Sequence, residues 1–191
     1  MKLVAISGGI GSGKSVVSHL LTLLGYSVYD CDSRAKLLMN RSEDVKRELR
    51  EAFGDDVITP QETVNRDVLS KIIFGNAEAL KTVNSIVHPR VVAEIMSLAG
   101  KCSDEYFFFE TALPQESGLD KLADAVWLVT APVEKRIERV IKRSGLTREQ
   151  VMARIASQDY SNIKNNRVEY IINDENKSLT NQLLTLLTKS L

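Results

Sequence analysis

Leu3-Val4-Ala5-Ile6-Ser7-Gly8-Gly9-Ile10-Gly11-Ser12-Gly13-Lys14-Ser15 runs from five residues of buried-strand character into a glycine-rich turn that ends in Lys-Ser. An apolar-periodic run, Val16, Val17, Leu20, Leu21 and Leu24, predicts a helix directly after it. Gly8 to Ser15 fit G-x-x-x-x-G-K-[ST], the phosphate-binding loop, in the strand–loop–helix setting that the motif requires. Glycines let successive backbone N–H groups curl around an anion. A helix that starts near Lys14 aims its positive end at the same point. Gly9, Ile10, Gly11, Ser12, Gly13, Lys14, Ser15 and Val16 are therefore the candidate contacts to a nucleotide's phosphates. Lys14 is placed to reach the β- and γ-phosphates, and the Ser15 hydroxyl to ligate Mg²⁺. A dinucleotide fingerprint fails, because G-x-G-x-x-G from Gly9 or Gly11 needs glycine where the chain has Lys14 or Val16.

The chain has 191 residues, which suits one compact domain with room for an insertion. At 43% apolar and 26% charged it is ordinary globular material. Lys plus Arg equals Asp plus Glu at 25 each, and zero net charge argues against a general nucleic-acid or membrane binder. Two cysteines, Cys31 and Cys102, make no disulfide framework and point to a reducing compartment. There is no signal-peptide core and no apolar run of about 20 residues, so a cytoplasmic protein is expected, as a monomer or weak homo-oligomer.

Past the first helix, Gly25 is a natural stop. Ser27-Val28-Tyr29 reads as a second strand that delivers Asp30-Cys31-Asp32 at its C-terminal end, where open parallel sheets bind ligands. On extended chain, residues i and i+2 point the same way, so one aspartate is expected in the cleft, Asp32 first, while the other caps the next helix. Cys31 reads as a packed small residue rather than a nucleophile. Residues 33–53 read as two helices, 55–65 as polar turns, and Val68 to Phe74 as a further helix closed by Gly75. Asn76 caps another that carries Leu80, Val83 and Ile86-Val87. His88-Pro89 is expected to break it and start a new one through Met96-Leu98. About 70 residues of helix where a crossover needs only about a dozen mark an insertion. Insertions at this edge carry substrate recognition. Within it Arg66 is a candidate phosphate holder, with a surface carboxylate pair as the plain alternative. His88 is either a substrate contact or a helix-start residue. With only His19 besides, a histidine metal site is not expected.

Tyr106 to Phe109 form a continuous apolar third strand ending in Glu110. Glu110 divides evenly between metal shell and substrate contact. Ala125 to Val129 are the fourth strand. Pro132 then opens a helix in which Arg136, Arg139 and Arg143 fall within about 60° of one another at about 100° per residue. They flank the apolar stripe of Val133, Ile137, Val140 and Ile141, a placement that directs guanidinium groups into a cleft. Thr147 and Gln150 read as a capping box for a following helix, and the two helices as a small lid over triphosphate. Tyr170-Ile171-Ile172 is a fifth strand, and the last helix buries Leu179, Leu183, Leu184, Leu186 and Leu187.

Several ordered motifs resemble the dephospho-CoA kinases: the loop Gly8–Ser15, Asp30-Cys31-Asp32, Arg66 with Leu69 and Phe74, Asn84 with His88-Pro89, Arg139 and Arg143, and Gln158. The chain departs from that family's usual pattern at Val16 for Thr, at Arg136 for Gln, at Ala112-Leu113-Pro114-Gln115-Glu116 and at Val168-Glu169. The resemblance implies an α/β fold: a three-layer P-loop core with a five-stranded parallel sheet, a helical substrate-binding insertion and a short helical lid. The expected division is core 1–32, 104–132 and 160–191, CoA-binding insertion about 33–103, and lid about 133–159. It implies ATP-dependent phosphorylation of the 3′-hydroxyl of dephospho-CoA, with Asp32 as the base. Lys14, Arg139 and Arg143 would act on the transferring group, Ser15 on Mg²⁺, and Asp32, Arg66, His88 and Glu110 on the substrate. Two other readings share these features. One is a kinase for another small alcohol or nucleoside. The other is a nucleotide-gated binding module, for which the guanine signature Asn-Lys-x-Asp is missing, since Asn176-Lys177 continues into Ser178-Leu179.

Overall fold

The computed structural model describes residues 1–112, 114–158 and 160–189. The order of elements is β1 (Lys2–Ser7), α1 (Lys14–Leu23), β2 (Val28–Asp30), α2 (Cys31–Arg41), α3 (Glu43–Phe53), α4 (Arg66–Ile73), α5 (Ala77–Ala99), β3 (Tyr106–Glu110), α6 (Pro114–Ser117), α7 (Leu119–Leu122), β4 (Ala125–Thr130), α8 (Val133–Ser144), α9 (Arg148–Ala156), β5 (Val168–Ile172) and α10 (Leu179–Thr188). It separates into two compact units, residues 1–30 with 101–191 and residues 31–100.

In the first unit the five strands form one parallel sheet in the order β2-β3-β1-β4-β5. The β1, β3 and β4 segments are apolar on both faces because both faces are buried: Val4, Ile6, Phe108, Trp127 and Val129 on one, Ala5, Phe107, Phe109 and Val126 on the other. Val17 and Leu21 of α1 and Leu183 and Leu186 of α10 close over the first set. Phe108 lies against Trp127 with ring centroids 5.1 Å apart and is stacked with Tyr106 at 5.8 Å. Burial of each such ring is worth about 2–3 kcal/mol. Leu184 is 46% exposed, so the packed face of α10 is narrower than its leucine spacing suggested. Two short helices, α6 and α7, follow β3 where the sequence gives no periodic signal. Buried Asp120 on α7 accepts from the Lys164 amide at 2.7 Å and so fastens the stretch that leads into β5.

The second unit is helical. Residues 55–65 are a 3-10 turn (Asp55–Val57) and a tight loop closed by the bridge Ile58 to Val64. Ion pairs Arg34–Glu94 and Arg90–Glu48 tie α2 and α3 to α5. Lys46 is buried, and its ammonium donates to the Glu62 carbonyl at 3.0 Å and pairs with Glu43 at 2.6 Å. The expected break at His88-Pro89 does not occur: α5 is continuous, with Pro89 inside it. Proline removes one helical N–H and costs about 3 kcal/mol. Val83, Ile86 and Val87 before it and Val91 and Ile95 after it share one buried face, and that packing carries the helix through. His88 is therefore mid-helix and half-buried rather than a helix start.

Candidate active site: the phosphate loop and its supports

Gly8 to Gly13 link β1 to α1, and the loop is shaped by bonds to its outer side. The Ile10 carbonyl accepts from Arg136 Nε at 2.9 Å, the Gly11 carbonyl from Arg139 Nη1 at 3.3 Å, and the Ser12 carbonyl from Asn173 Nδ2 at 2.8 Å. In a planar trans peptide the N–H points opposite to the carbonyl. Outward carbonyls of Ile10 and Ser12 therefore turn the N–H groups of Gly11 and Gly13 inward, toward the place where an anion would sit. The loop closes on itself through the Ser12 amide to the Gly9 carbonyl at 3.0 Å.

Gly11 is a spacing requirement as well as a turn residue, because backbone stands in the way of a Cβ there, whereas at Gly9 and Gly13 the obstacle is the end of a side chain. A Cβ on Gly9 would lie 2.1 Å from Arg136 Nη2, one on Gly11 2.6 Å from the Arg136 carbonyl, and one on Gly13 2.0 Å from Asn173 Nδ2. Gly11 and Gly13 also have φ of +75° and +98°. Lys14 Nζ donates to the Gly8 carbonyl at 2.6 Å, at the mouth of the loop. The Ser15 hydroxyl donates to Glu110 Oε1 at 3.2 Å, and the Ser18 hydroxyl to Glu110 Oε2 at 2.6 Å. Register puts Glu110 beside Ile6 on β1 and Asp30 on β2, so three strand ends are level and two of them are acidic.

Of the three arginines on this side of α8, Arg136 and Arg139 touch the loop, whereas Arg143, about one turn past Arg139, is exposed. Burial pulls the Arg136 guanidinium below its ordinary pKa, partly offset by Tyr160. The Thr147–Gln150 capping box is formed, with the Thr147 amide donating to Gln150 Oε1 at 3.0 Å. Asp32 stands in the first turn of α2, in the helical unit. It is already helical there, so the alternation of an extended chain does not apply to Asp30 and Asp32. Cys31 is buried, as its packed reading requires. Arg66 is exposed at the start of α4. Burial lowers the His88 pKa and favours the neutral ring. The Glu116 side chain and Leu113 lie outside the described residues. Among the described residues no helix is long and apolar enough to cross a membrane.

Three supports escaped the sequence reading as site residues. Ser18 lies one turn after Ser15 on the same face of α1, which is a readable spacing. Asn173 follows β5 at the ligand-bearing end of the sheet, a weaker signal. Gln158 matched a family position, but nothing in the sequence tells that its Oε1 accepts from the Ile10 amide at 2.7 Å.

Comparison with known proteins agrees with this architecture. The family model CoaE, dephospho-CoA kinase, matches residues 2–180. A dephospho-CoA kinase of Dehalococcoides mccartyi is 38% identical over 178 residues, 91% of this chain and 89% of that one. Another, from Bacteroides fragilis, is 36% identical over 187 residues, 96% of this chain and 90% of that one. A crystal structure from Thermus thermophilus superposes with a TM-score of 0.81 at 32% identity, covering 97% of this chain and 96% of the other. With a family model spanning nearly its whole length and relatives well above the level at which folds alone agree, the chain belongs to the dephospho-CoA kinase family.

Proposed function

We propose that this chain carries out the family's reaction with its phosphate loop as the ATP cradle and Asp32 as the base. That reaction is ATP-dependent phosphorylation of dephospho-CoA at its 3′-hydroxyl, giving CoA and ADP, the last step of CoA biosynthesis. ATP and dephospho-CoA are its substrates. The observation that carries the loop's role is the outward tethering of its carbonyls, which turns the Gly11 and Gly13 amides inward, with Lys14 held on the Gly8 carbonyl of the same loop.

Asp32 accepts the proton of the acceptor hydroxyl as its oxygen bonds to the γ-phosphorus. The bond from that phosphorus to the β,γ-bridging oxygen breaks, and its electron pair leaves on ADP. Lys14 exchanges the Gly8 carbonyl for phosphate oxygens, and Arg139 and Arg143 neutralise the charge on the transferring group. Ser15 and Glu110 are a hydroxyl and a carboxylate already within hydrogen-bond distance, a hard oxygen set that suits Mg²⁺. That ion, bound there, would neutralise charge on the β- and γ-phosphates. Two serine hydroxyls on Glu110 favour this metal-side role for it over a substrate contact. Arg66 and His88 are assigned to dephospho-CoA within an insertion of about residues 33–103, and residues 133–159 to the lid. The two cysteines, far apart in sequence, support a reducing, cytoplasmic setting.

The test is a coupled ADP-release assay that compares dephospho-CoA with AMP, nucleosides and sugars, with the product identified by mass. ADP release that depends on dephospho-CoA, with a mass gain of one phosphoryl group, is expected. Faster release with another alcohol would reassign the acceptor, and slow acceptor-independent hydrolysis would favour a nucleotide switch. Asp32→Asn should keep ATP binding and lose at least about 100-fold in kcat. Near-normal turnover would remove Asp32 from the mechanism.

A further inference from the structure

The tip of the phosphate loop is built into α8 and α9. Ile10 joins the apolar cluster formed by Ile137, Val140 and Val151, together with Leu146 and Ile155. Its peptide groups are held on both sides: the carbonyl by Arg136 from α8, the amide by Gln158 just past α9. Gly11 continues the contact, with no room for a Cβ against the α8 backbone at Arg136 and the Val140 side chain. Two helices joined by a short turn have little core of their own, and Ile10 completes it. Arg136 adds an anomaly. Its Nη2 is buried with no hydrogen-bond partner among the described residues, while the guanidinium sits against Gly9. A buried donor left unsatisfied is costly, so the position of this side chain is maintained by what else it holds.

We propose that Arg136 and Gln158 are positioning residues that clamp the Ile10 peptide and thereby couple the α8–α9 pair to the occupancy of the phosphate loop. The pair is then not a free flap. Nucleotide that orders the loop tip orders α8 and α9 through Ile10, and displacement of the helices disturbs the loop's inward amides. Arg136 is the residue of particular interest, because it holds the Ile10 carbonyl and also lies against Gly9. A glutamine amide there retains a donor for the Ile10 carbonyl but not the guanidinium over Gly9.

This inference rests on the kinase reading, and one set of measurements separates their failures. Hydrogen exchange is followed across residues 9–16 and 137–156 with and without ATP, in the full chain and in Arg136→Ala, Gln158→Ala and Arg136→Gln. In the wild type, ATP is expected to protect both regions. In Arg136→Ala and Gln158→Ala it should still protect the loop but no longer α9. KM for ATP should rise about 10-fold, within the usual range for coupling between sites, while KM for dephospho-CoA stays within about two-fold. Arg136→Gln should recover most of the lost protection. Loop protection with α9 protected equally in every variant overturns the coupling and leaves the kinase reading intact. No protection of the loop by ATP in the wild type overturns both. A variant with a lowered melting point but unchanged KM for ATP would make Arg136 merely structural and also overturn the proposal.

Discussion

Gly8→Ala is the substitution whose cost follows most directly from the loop's geometry. Gly8 has φ of +149°, and a Cβ there would lie 2.2 Å from the Val129 carbonyl oxygen, 3.1 Å from its carbon and 2.8 Å from Ser12 Oγ. Val129 cannot withdraw. It is 1% exposed and lies on β4 between β1 and β5, in register with Ile171. Holding a non-glycine residue in that backbone region costs about 1–3 kcal/mol, and a clash with fixed atoms about 1–3 more. The expected loss is thus about 2–6 kcal/mol. At roughly 2–4 °C per kcal/mol for a chain of this size, the melting temperature falls by about 4–24 °C. Gly25→Ala is the matched control: its φ is +94° and nothing lies within 4 Å of the added carbon, so only a backbone cost of about 1–2 kcal/mol remains. Urea unfolding followed by the fluorescence of Trp127 reads both, because it is the only tryptophan and is fully buried on β4 two residues from Val129. A Gly8→Ala chain as stable as Gly25→Ala would show that the Val129 carbonyl does not wall the loop, and the spatial reading of its first glycine would be wrong.

Thr147→Ala removes the hydroxyl that accepts from the Gln150 amide at 3.3 Å and should cost about 1 kcal/mol, read as faster hydrogen exchange in α9, with Thr147→Ser close to wild type. His88 gives a pH signature. Its folded pKa is below the ordinary 6.5, so below that pH the unfolded chain binds more protons and stability falls as pH drops, levelling off below the folded value. In His88→Gln that limb should flatten, and urea midpoints measured on both sides of pH 6.5 check it; an unchanged slope would assign the acid sensitivity elsewhere.

The sheet and the loop were legible because their signals are local. Five apolar strand segments, a glycine-lysine-serine turn and an amphipathic helix each occupy one short window, and all five strands formed where expected. The capping box at Thr147 was readable for the same reason. What misled was local chemistry overruled by packing. Pro89 is a helix breaker by every local rule, yet buried residues on both sides of it carry α5 through. The sequence continues the extended chain of β2 into Asp32, whereas α2 begins at Cys31, directly after β2 ends at Asp30. Helical angle puts Arg143 on the same side of α8 as Arg136 and Arg139 but does not say which of the three contacts the loop, and only Arg136 and Arg139 do so among the described residues.

The supports of the loop pose a different problem from its motif. Arg136 meets Ile10 across 126 positions, Gln158 meets it across 148, and Asn173 meets Ser12 across 161. The motif can be complete in a chain whose loop has no fixed shape, because the residues that turn its carbonyls outward arrive only when β4, α8 and β5 are in place. An anion cradle made of backbone amides binds well only if those amides are aligned before the anion arrives, since ordering them on binding would consume the interaction. Eight residues near the start of this chain therefore define what the site can bind, while residues 136 to 173 hold the geometry in which that binding is strong.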